Sequence, residues 1–215
     1  MKSELIKIYE SRKEDFKRIV NSFLDDDLAG PILMLPNDNY YKQNNPLLII
    51  GQETNGWSYF VDDIEKQMNT YEEFNVGIKY YSSPFWNITR KVEYALGNDE
   101  YSCAWTNISK FDLDSGKSYG EYLQAISTVD NILIDEIKII KPKVCMFFTG
   151  PSFDYRISNI YNGVEFIKID DWPISQLCRV KHPNLPELSF RSHHPKSLRI
   201  RYLEDDFIDF IGTLK

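Results

Sequence analysis

The stretch Leu47-Leu48-Ile49-Ile50, four apolar residues in succession, runs into Gly51-Gln52-Glu53-Thr54-Asn55-Gly56-Trp57. A short unbroken apolar run closed by a glycine is the pattern of a strand buried on both faces, and here it ends at a carboxylate. Open α/β sheets place their ligands just beyond the carboxyl ends of such strands. The rest of the chain is therefore read for what it brings to Glu53.

Two further runs end in the same way. Ser102-Cys103-Ala104-Trp105 stops at Thr106-Asn107, and Val144-Cys145-Met146-Phe147-Phe148 stops at Thr149-Gly150-Pro151. Between the first run and the second, Ser58–Tyr71 reads as a helix with Phe60, Ile64 and Met68 on one face. A second helix is expected from Phe85 to about Leu96, because Ser83-Pro84 is a helix-start signal. A long helix is expected from about Tyr119 to Ile140, closed by Lys141-Pro142. Strand, helix, strand, helix, strand implies crossover units and a parallel sheet covered on both faces, a three-layer α/β/α fold. Upstream, Phe16, Ile19, Val20 and Phe23 form the stripe of an amphipathic helix ending near Asp25–Asp27, and residues 28–46 have the Gly, Pro and Asn content of a loop. Downstream, extended segments are expected around 164–169, 177–181 and 188–191. A closing helix carries Leu203, Phe207, Phe210 or Ile211, and Leu214.

Several classes are disfavoured. No run approaches the roughly 18 apolar residues of a membrane span, and the charged residues after Met1 do not resemble a signal peptide, so a cytoplasmic protein with no membrane association is expected. The three cysteines, Cys103, Cys145 and Cys178, are too few and too scattered for a disulfide framework or a four-thiolate metal site, and are expected as buried small hydrophobes. A net charge of −7 argues against coating nucleic acid through bulk charge. Between Ile174 and Arg201, however, six basic residues (Arg179, Lys181, Arg191, Lys196, Arg199, Arg201) face one acid, Glu187, which allows one basic face.

The segment at 188–191 runs into Ser192-His193-His194-Pro195-Lys196-Ser197-Leu198-Arg199. Glu53, Asn107 and His194 thus all follow strand candidates, and in a parallel sheet they converge on one edge. A carboxylate, a carboxamide and an imidazole there can move protons and read a polar planar group. Each has an ordinary use as well: Glu53 could cap a helix, Asn107 could satisfy a turn, and His194 could be a hydrogen-bonded interior histidine. The aromatic loop Gly77-Ile78-Lys79-Tyr80-Tyr81 either plugs the surface or stacks on a planar ligand.

Gly51-Gln52-Glu53-Thr54-Asn55 resembles the first motif of the uracil-DNA glycosylase superfamily, Gly-Gln-Asp-Pro-Tyr in the uracil-N-glycosylase branch. His194-Pro195-Lys196-Ser197-Leu198 resembles its second motif, His-Pro-Ser-Pro-Leu. Between them, Ser83-Pro84-Phe85-Trp86-Asn87, Trp105-Thr106-Asn107 and Lys141-Pro142-Lys143-Val144 are similar to the family's segments in the same order. The likeness spans about Leu47 to Leu214. It implies a single uracil-DNA glycosylase-like domain over 1–215, with 1–46 as a helix and loop leading in, and a central, mainly parallel sheet.

The resemblance also implies roles. Glu53 would stabilise the sugar cation and orient or deprotonate the attacking water, and His194 would donate to the departing base. Gln52 would position the extruded nucleotide, Asn107 would read the base edge, and Tyr80 would be the stacking platform, with Tyr81 and Trp57 as rivals. Leu198 stands in the position of the wedge that fills the gap left by a flipped base, with Lys196, Ser197 and Arg199 as phosphate contacts. DNA bearing a flipped nucleotide would be the partner of a monomer using no metal or cofactor; the family's iron–sulfur branches need four cysteines. Where the family's motifs have Asp, Pro and Tyr, this chain has Glu53, Thr54 and Asn55. If that Tyr excludes thymine, Asn55 implies looser selection or a different base. Lys196 and Ser197 replace Ser and Pro. Two further readings stand beside this one: a catalytically silent relative that binds a nucleobase, nucleotide or protein, and a metal-dependent hydrolase using His193, His194, Glu53 and Asp112.

Overall fold

The computed structural model describes residues 1–24, 27–80, 82–115 and 118–214. Among the described residues eight strands occur in chain order: β1 (Leu28–Ala29), β2 (Leu47–Gly51), β3 (Ala104–Asn107), β4 (Asp112–Leu113), β5 (Val144–Phe147), β6 (Glu165–Lys168), β7 (Leu177–Lys181) and β8 (Leu188–Ser192). Six of them form the central sheet in the order β3-β2-β5-β8-β7-β6, and β1 pairs with β4 separately. The pairs β3–β2, β2–β5 and β5–β8 are parallel, while β8–β7 and β7–β6 are antiparallel. The three downstream segments are thus strands, and the sheet is mainly parallel as expected, with β7 alone running against the other five. Every residue of β2, β3 and β5 is buried, whereas β6 is an edge strand that shows Glu165, Ile167 and Lys168 to solvent. Charged residues there protect the open edge from pairing with another chain.

Nine α-helices flank the sheet among the described residues: α1 (Lys2–Ser11), α2 (Lys13–Asn21), α3 (Ile64–Phe74), α4 (Pro84–Ala95), α5 (Gly120–Ile126), α6 (Ile132–Ile140), α7 (Asp154–Ile160), α8 (Pro195–Ile200) and α9 (Glu204–Gly212). They pack in two groups, α1 with α3 and α6, and α4 with α8 and α9, consistent with a three-layer α/β/α arrangement. None is long and apolar enough to cross a membrane. All three cysteines are buried and unpaired.

Local chemistry accounts for the departures from the sequence reading. The helix expected from Ser58 begins at Ile64, where the Asp63 carboxylate accepts from the Lys66 N–H at 3.0 Å and caps the first turn. Ser83 caps α4 as expected, accepting from the Trp86 N–H at 3.2 Å. The helix expected from Tyr119 to Ile140 breaks into α5, a 3₁₀ turn at Ser127–Val129 and α6. Ser127 and Thr128 turn their hydroxyls back onto the carbonyls of Gln124 and Ala125, at 3.1 and 2.7 Å. The stretch 28–46, expected as a loop, holds only β1 and a 3₁₀ turn at Tyr40–Lys42, yet it lies in the core at Ile32, Leu33 and Met34, all fully buried. The Tyr9 hydroxyl accepts the Met34 N–H at 3.1 Å, and the Lys110 carbonyl accepts the Ile32 N–H at 2.8 Å. Residues Asp25 and Asp26, the expected end of the first amphipathic helix, lie outside the described residues; α2 ends at Asn21.

Candidate functional site

Gly51 pairs with Asn107 across β2–β3, Ile50 with Phe147 across β2–β5, and Phe147 with Arg191 across β5–β8. Asn107, Gln52-Glu53, Thr149 and His193-His194 therefore stand in a row at one sheet edge. The chain leaves β2 towards β3 and returns to β5 on the other side, so the connections diverge between β2 and β5, where open sheets form a ligand crevice. The Gln52 Nε2 amide donates to the Thr149 carbonyl at 2.6 Å and ties these two strand ends together.

Over this edge lies a cavity of about 750 Å³ whose lining includes Gln52, Glu53, Tyr80, Asn107, His194 and Lys196. Its walls are aromatic, with Trp86 and Trp105 ring centres 5.2 Å apart, and Phe74 5.4 Å from both Trp105 and Tyr80. Gly77 is needed here, because it has φ +73° and a Cβ on it would come within 2.4 Å of the Trp86 ring. That close approach lets the 3₁₀ turn Asn75–Tyr80 bring Tyr80 to the rim, 56% exposed. Of its rivals, Trp57 also lines the cavity but stands edge-on to Phe74 and Trp105, and Tyr81 lies outside the described residues.

Glu53 has its side chain only 6% exposed. Its Oε2 accepts from the Ser118 N–H at 2.9 Å, and its Oε1 lies 3.6 Å from Arg156 Nη1. Burial raises its pKa above the ordinary carboxylate value, opposed by the Ser118 N–H and the Arg156 charge. Asn107, with its amide oriented to satisfy its neighbours, donates to the Thr106 carbonyl at 3.1 Å and accepts from the Thr54 N–H at 3.2 Å. Gly51 makes room for it, since a Cβ there would sit 2.1 Å from the Asn107 side-chain amide. His194 caps α8, its Nδ1 accepting from the Lys196 N–H at 3.3 Å. An accepting Nδ1 selects the neutral tautomer in which Nε2 carries the proton, so the ring is a donor through Nε2.

The second motif is less faithful to expectation. Leu198 is 0% exposed, in contact with the core, and a residue so placed cannot act as a wedge in a base stack. Lys196 is exposed at the cavity rim and Ser197 is half-buried beside it. Arg199 is held by Glu204 at 2.8 Å and by Asn87 at 2.6 Å, which leaves little of its fork for phosphate. The basic stretch does not form one face. Arg191 is buried against Asp154 at 2.9 Å, and Arg179 pairs with Glu187 at 3.0 Å. No group of three or more His, Cys, Asp or Glu side chains able to hold a metal ion occurs among the described residues, and the hydrolase grouping of His193, His194, Glu53 and Asp112 does not assemble. Asp112 instead accepts from the Thr54 hydroxyl and the Gly56 N–H.

No protein-family model matches the chain, and no curated protein matches it significantly.

Two groups behind the site escaped sequence reading. Arg156, 2% exposed on α7, makes a forked pair with Asp130, Nε to Oδ2 at 2.9 Å and Nη2 to Oδ1 at 2.6 Å, and donates through Nη1 to Ser109 Oγ at 2.5 Å. Lys110, wholly buried, donates to Glu136 Oε2 and to Thr106 Oγ1, both at 2.6 Å, while Tyr9 donates to Glu136 Oε1 at 2.8 Å. The Ser-Thr-Val-Asp run within an otherwise helical pattern was a signal for Asp130. Nothing in the pattern marked α7.

Proposed function

We propose that this chain is a DNA glycosylase of the uracil-DNA glycosylase type, hydrolysing the N-glycosidic bond of uracil or a related deaminated base flipped out of DNA. The observation that supports it best is the pairing, on one aromatic-walled cavity, of a buried carboxylate, Glu53, with a histidine held as an Nε2 donor, His194. The order of strands and the two motifs at the ends of β2 and β8 agree with that reading.

In the proposed reaction the C1′–N bond breaks with its electron pair passing to the base, while a water oxygen bonds to C1′ and its proton passes to Glu53. The carboxylate offsets the positive charge that develops on the sugar, and the His194 Nε2–H donates to the oxygen on which the leaving base gathers negative charge. The Asn107 amide has one N–H and one acceptor site committed to the backbone, so one of each is left to read a base edge. Tyr80 offers the exposed ring for stacking. Lys196 and Ser197 serve as phosphate contacts in this reading, and Leu198 serves packing. The partner is DNA, and the protein acts as a cytoplasmic monomer without metal or cofactor.

The test is release of free base from oligonucleotides carrying uracil, hypoxanthine, xanthine or mismatched thymine. Release from at least one, lost by about 100-fold or more in Glu53→Gln and in His194→Ala with the fold intact, supports the proposal. A specific observation favours a second reading, a silent binder: both Glu53 oxygens already have protein partners. Binding of uracil-containing DNA or free uracil without turnover would select it.

A further inference from the structure

Six aromatic side chains, Trp57, Phe74, Tyr80, Phe85, Trp86 and Trp105, line the cavity over Glu53. Their rings stand at steep angles to one another: 71° between Trp57 and Trp105, 74° between Trp57 and Phe74, 76° between Phe85 and Trp86, and 77° between Trp86 and Trp105. They therefore wall a box and do not form a single stacking platform. Tyr80 is exposed at the rim, and Trp57, Phe74 and Phe85 are partly exposed. The face of an aromatic ring carries partial negative charge and attracts a cation, most strongly where water is excluded. Trp86 already has the Arg90 guanidinium 5.6 Å from its ring centre, which leaves the charge of a ligand to the other five. Two carboxylates line the same cavity, Glu53 after β2 and Glu73, exposed on α3. Its lysines, Lys79 and Lys196, are both exposed, where long stems can carry their charge to a phosphate. A volume of about 750 Å³ has room for a bicyclic base with its sugar.

We propose that, beyond deaminated bases, this cavity takes a purine made cationic by N-alkylation of its ring, in preference to the neutral purine of the same shape. The inference rests on the reading of the cavity as the seat of a flipped base. The ring faces and Glu73 hold the positive charge, and Lys79 and Lys196 meet the phosphates. The reaction then needs less of the protein. When the C1′–N bond breaks, its electron pair passes to the charged ring and the base leaves neutral, while a water oxygen bonds to C1′ and its proton passes to Glu53. No net negative charge gathers on the departing base, so the His194 donor contributes less than it does to the release of uracil.

The experiment compares two ligands that differ by one methyl group and one charge. Binding of 7-methylguanosine 5′-monophosphate and of guanosine 5′-monophosphate to the full chain is measured by calorimetry in weakly acidic buffer, where the methylated ring keeps its charge. The methylated nucleotide is expected to bind about tenfold tighter, and that ratio is expected to fall about threefold in Glu73→Gln and in Tyr80→Leu. In parallel, DNA treated with a methylating agent is expected to yield free 7-methylguanine faster than it does spontaneously, with His194→Ala slowing this release less than the release of uracil. The proposal is overturned if the two nucleotides bind equally, or if the ratio is unchanged in both variants. Should the variants not fold, the ratio in the wild type decides. The charge preference without base release from any DNA would remove the glycosylase reading alone; release of uracil by a protein that binds the two nucleotides equally would remove this inference alone.

Discussion

Lys110–Glu136 and Arg156–Asp130 are both buried ion pairs close to the carboxyl end of β3, yet their surroundings differ. The first has matched charges, no exposed surface on either side chain, and further hydrogen bonds from Tyr9 and Thr106. It joins α1, β3 and α6. The second has an extra carboxylate, Glu53, and lies between two cavities. A buried pair with every valence satisfied braces a fold, whereas one left with an uncompensated carboxylate beside solvent keeps a proton-accepting group available.

Removing one partner should separate the two. Lys110→Ala leaves Glu136 charged and unpaired in the core and should cost about 3–5 kcal/mol in urea denaturation, whatever the activity. A loss under 1 kcal/mol would show that this pair is no brace. Leu198→Ala should cost about 2–5 kcal/mol by the same measurement, as for other buried leucines. Weakened DNA binding at unchanged stability would instead return Leu198 to the wedge role.

The Arg156–Asp130 side should respond to pH. The folded-state pKa of Asp130 is raised from 3.8 to about 6, so its contribution to stability is fully present below about 4 and is lost as pH rises through about 6. The stability of the wild type relative to Asp130→Asn should therefore fall over that window, by about 3 kcal/mol, and level off above it. A flat difference would mean that Asp130 is ionised throughout. The smallest effect on stability is expected at the rim: Tyr80→Ala should change it by no more than about 0.5 kcal/mol. The same change should weaken binding of single-stranded DNA by about 1–3 kcal/mol if the ring stacks on a base, and unchanged binding would remove Tyr80 as the platform.

The parts of this arrangement visible in the sequence were those written in local pattern. The apolar runs of β2, β3 and β5, the Ser83-Pro84 helix start and the turns carrying Glu53, Asn107 and His194 could be placed because strand burial and capping leave signatures a few residues long. The reversal of β7 was not visible, since a short strand that runs against its neighbours and one that runs with them have similar patterns. Arg156, Asp130, Lys110 and Glu136 were hidden for a different reason. A buried ion pair is made by residues far apart in sequence, and each alone reads as a solvated charge. The same limit applied to Leu198, where a motif position suggested an exposed wedge but an amphipathic helical turn put the side chain in the core.

Release of free base from a panel of modified oligonucleotides decides whether Glu53 and His194 together cleave a glycosidic bond in their shared cavity. The wild type is expected to release uracil or another deaminated base, and Glu53→Gln and His194→Ala, folded as the wild type, each to lose that activity by about 100-fold or more. No release from any substrate, or full release by both variants, would contradict it.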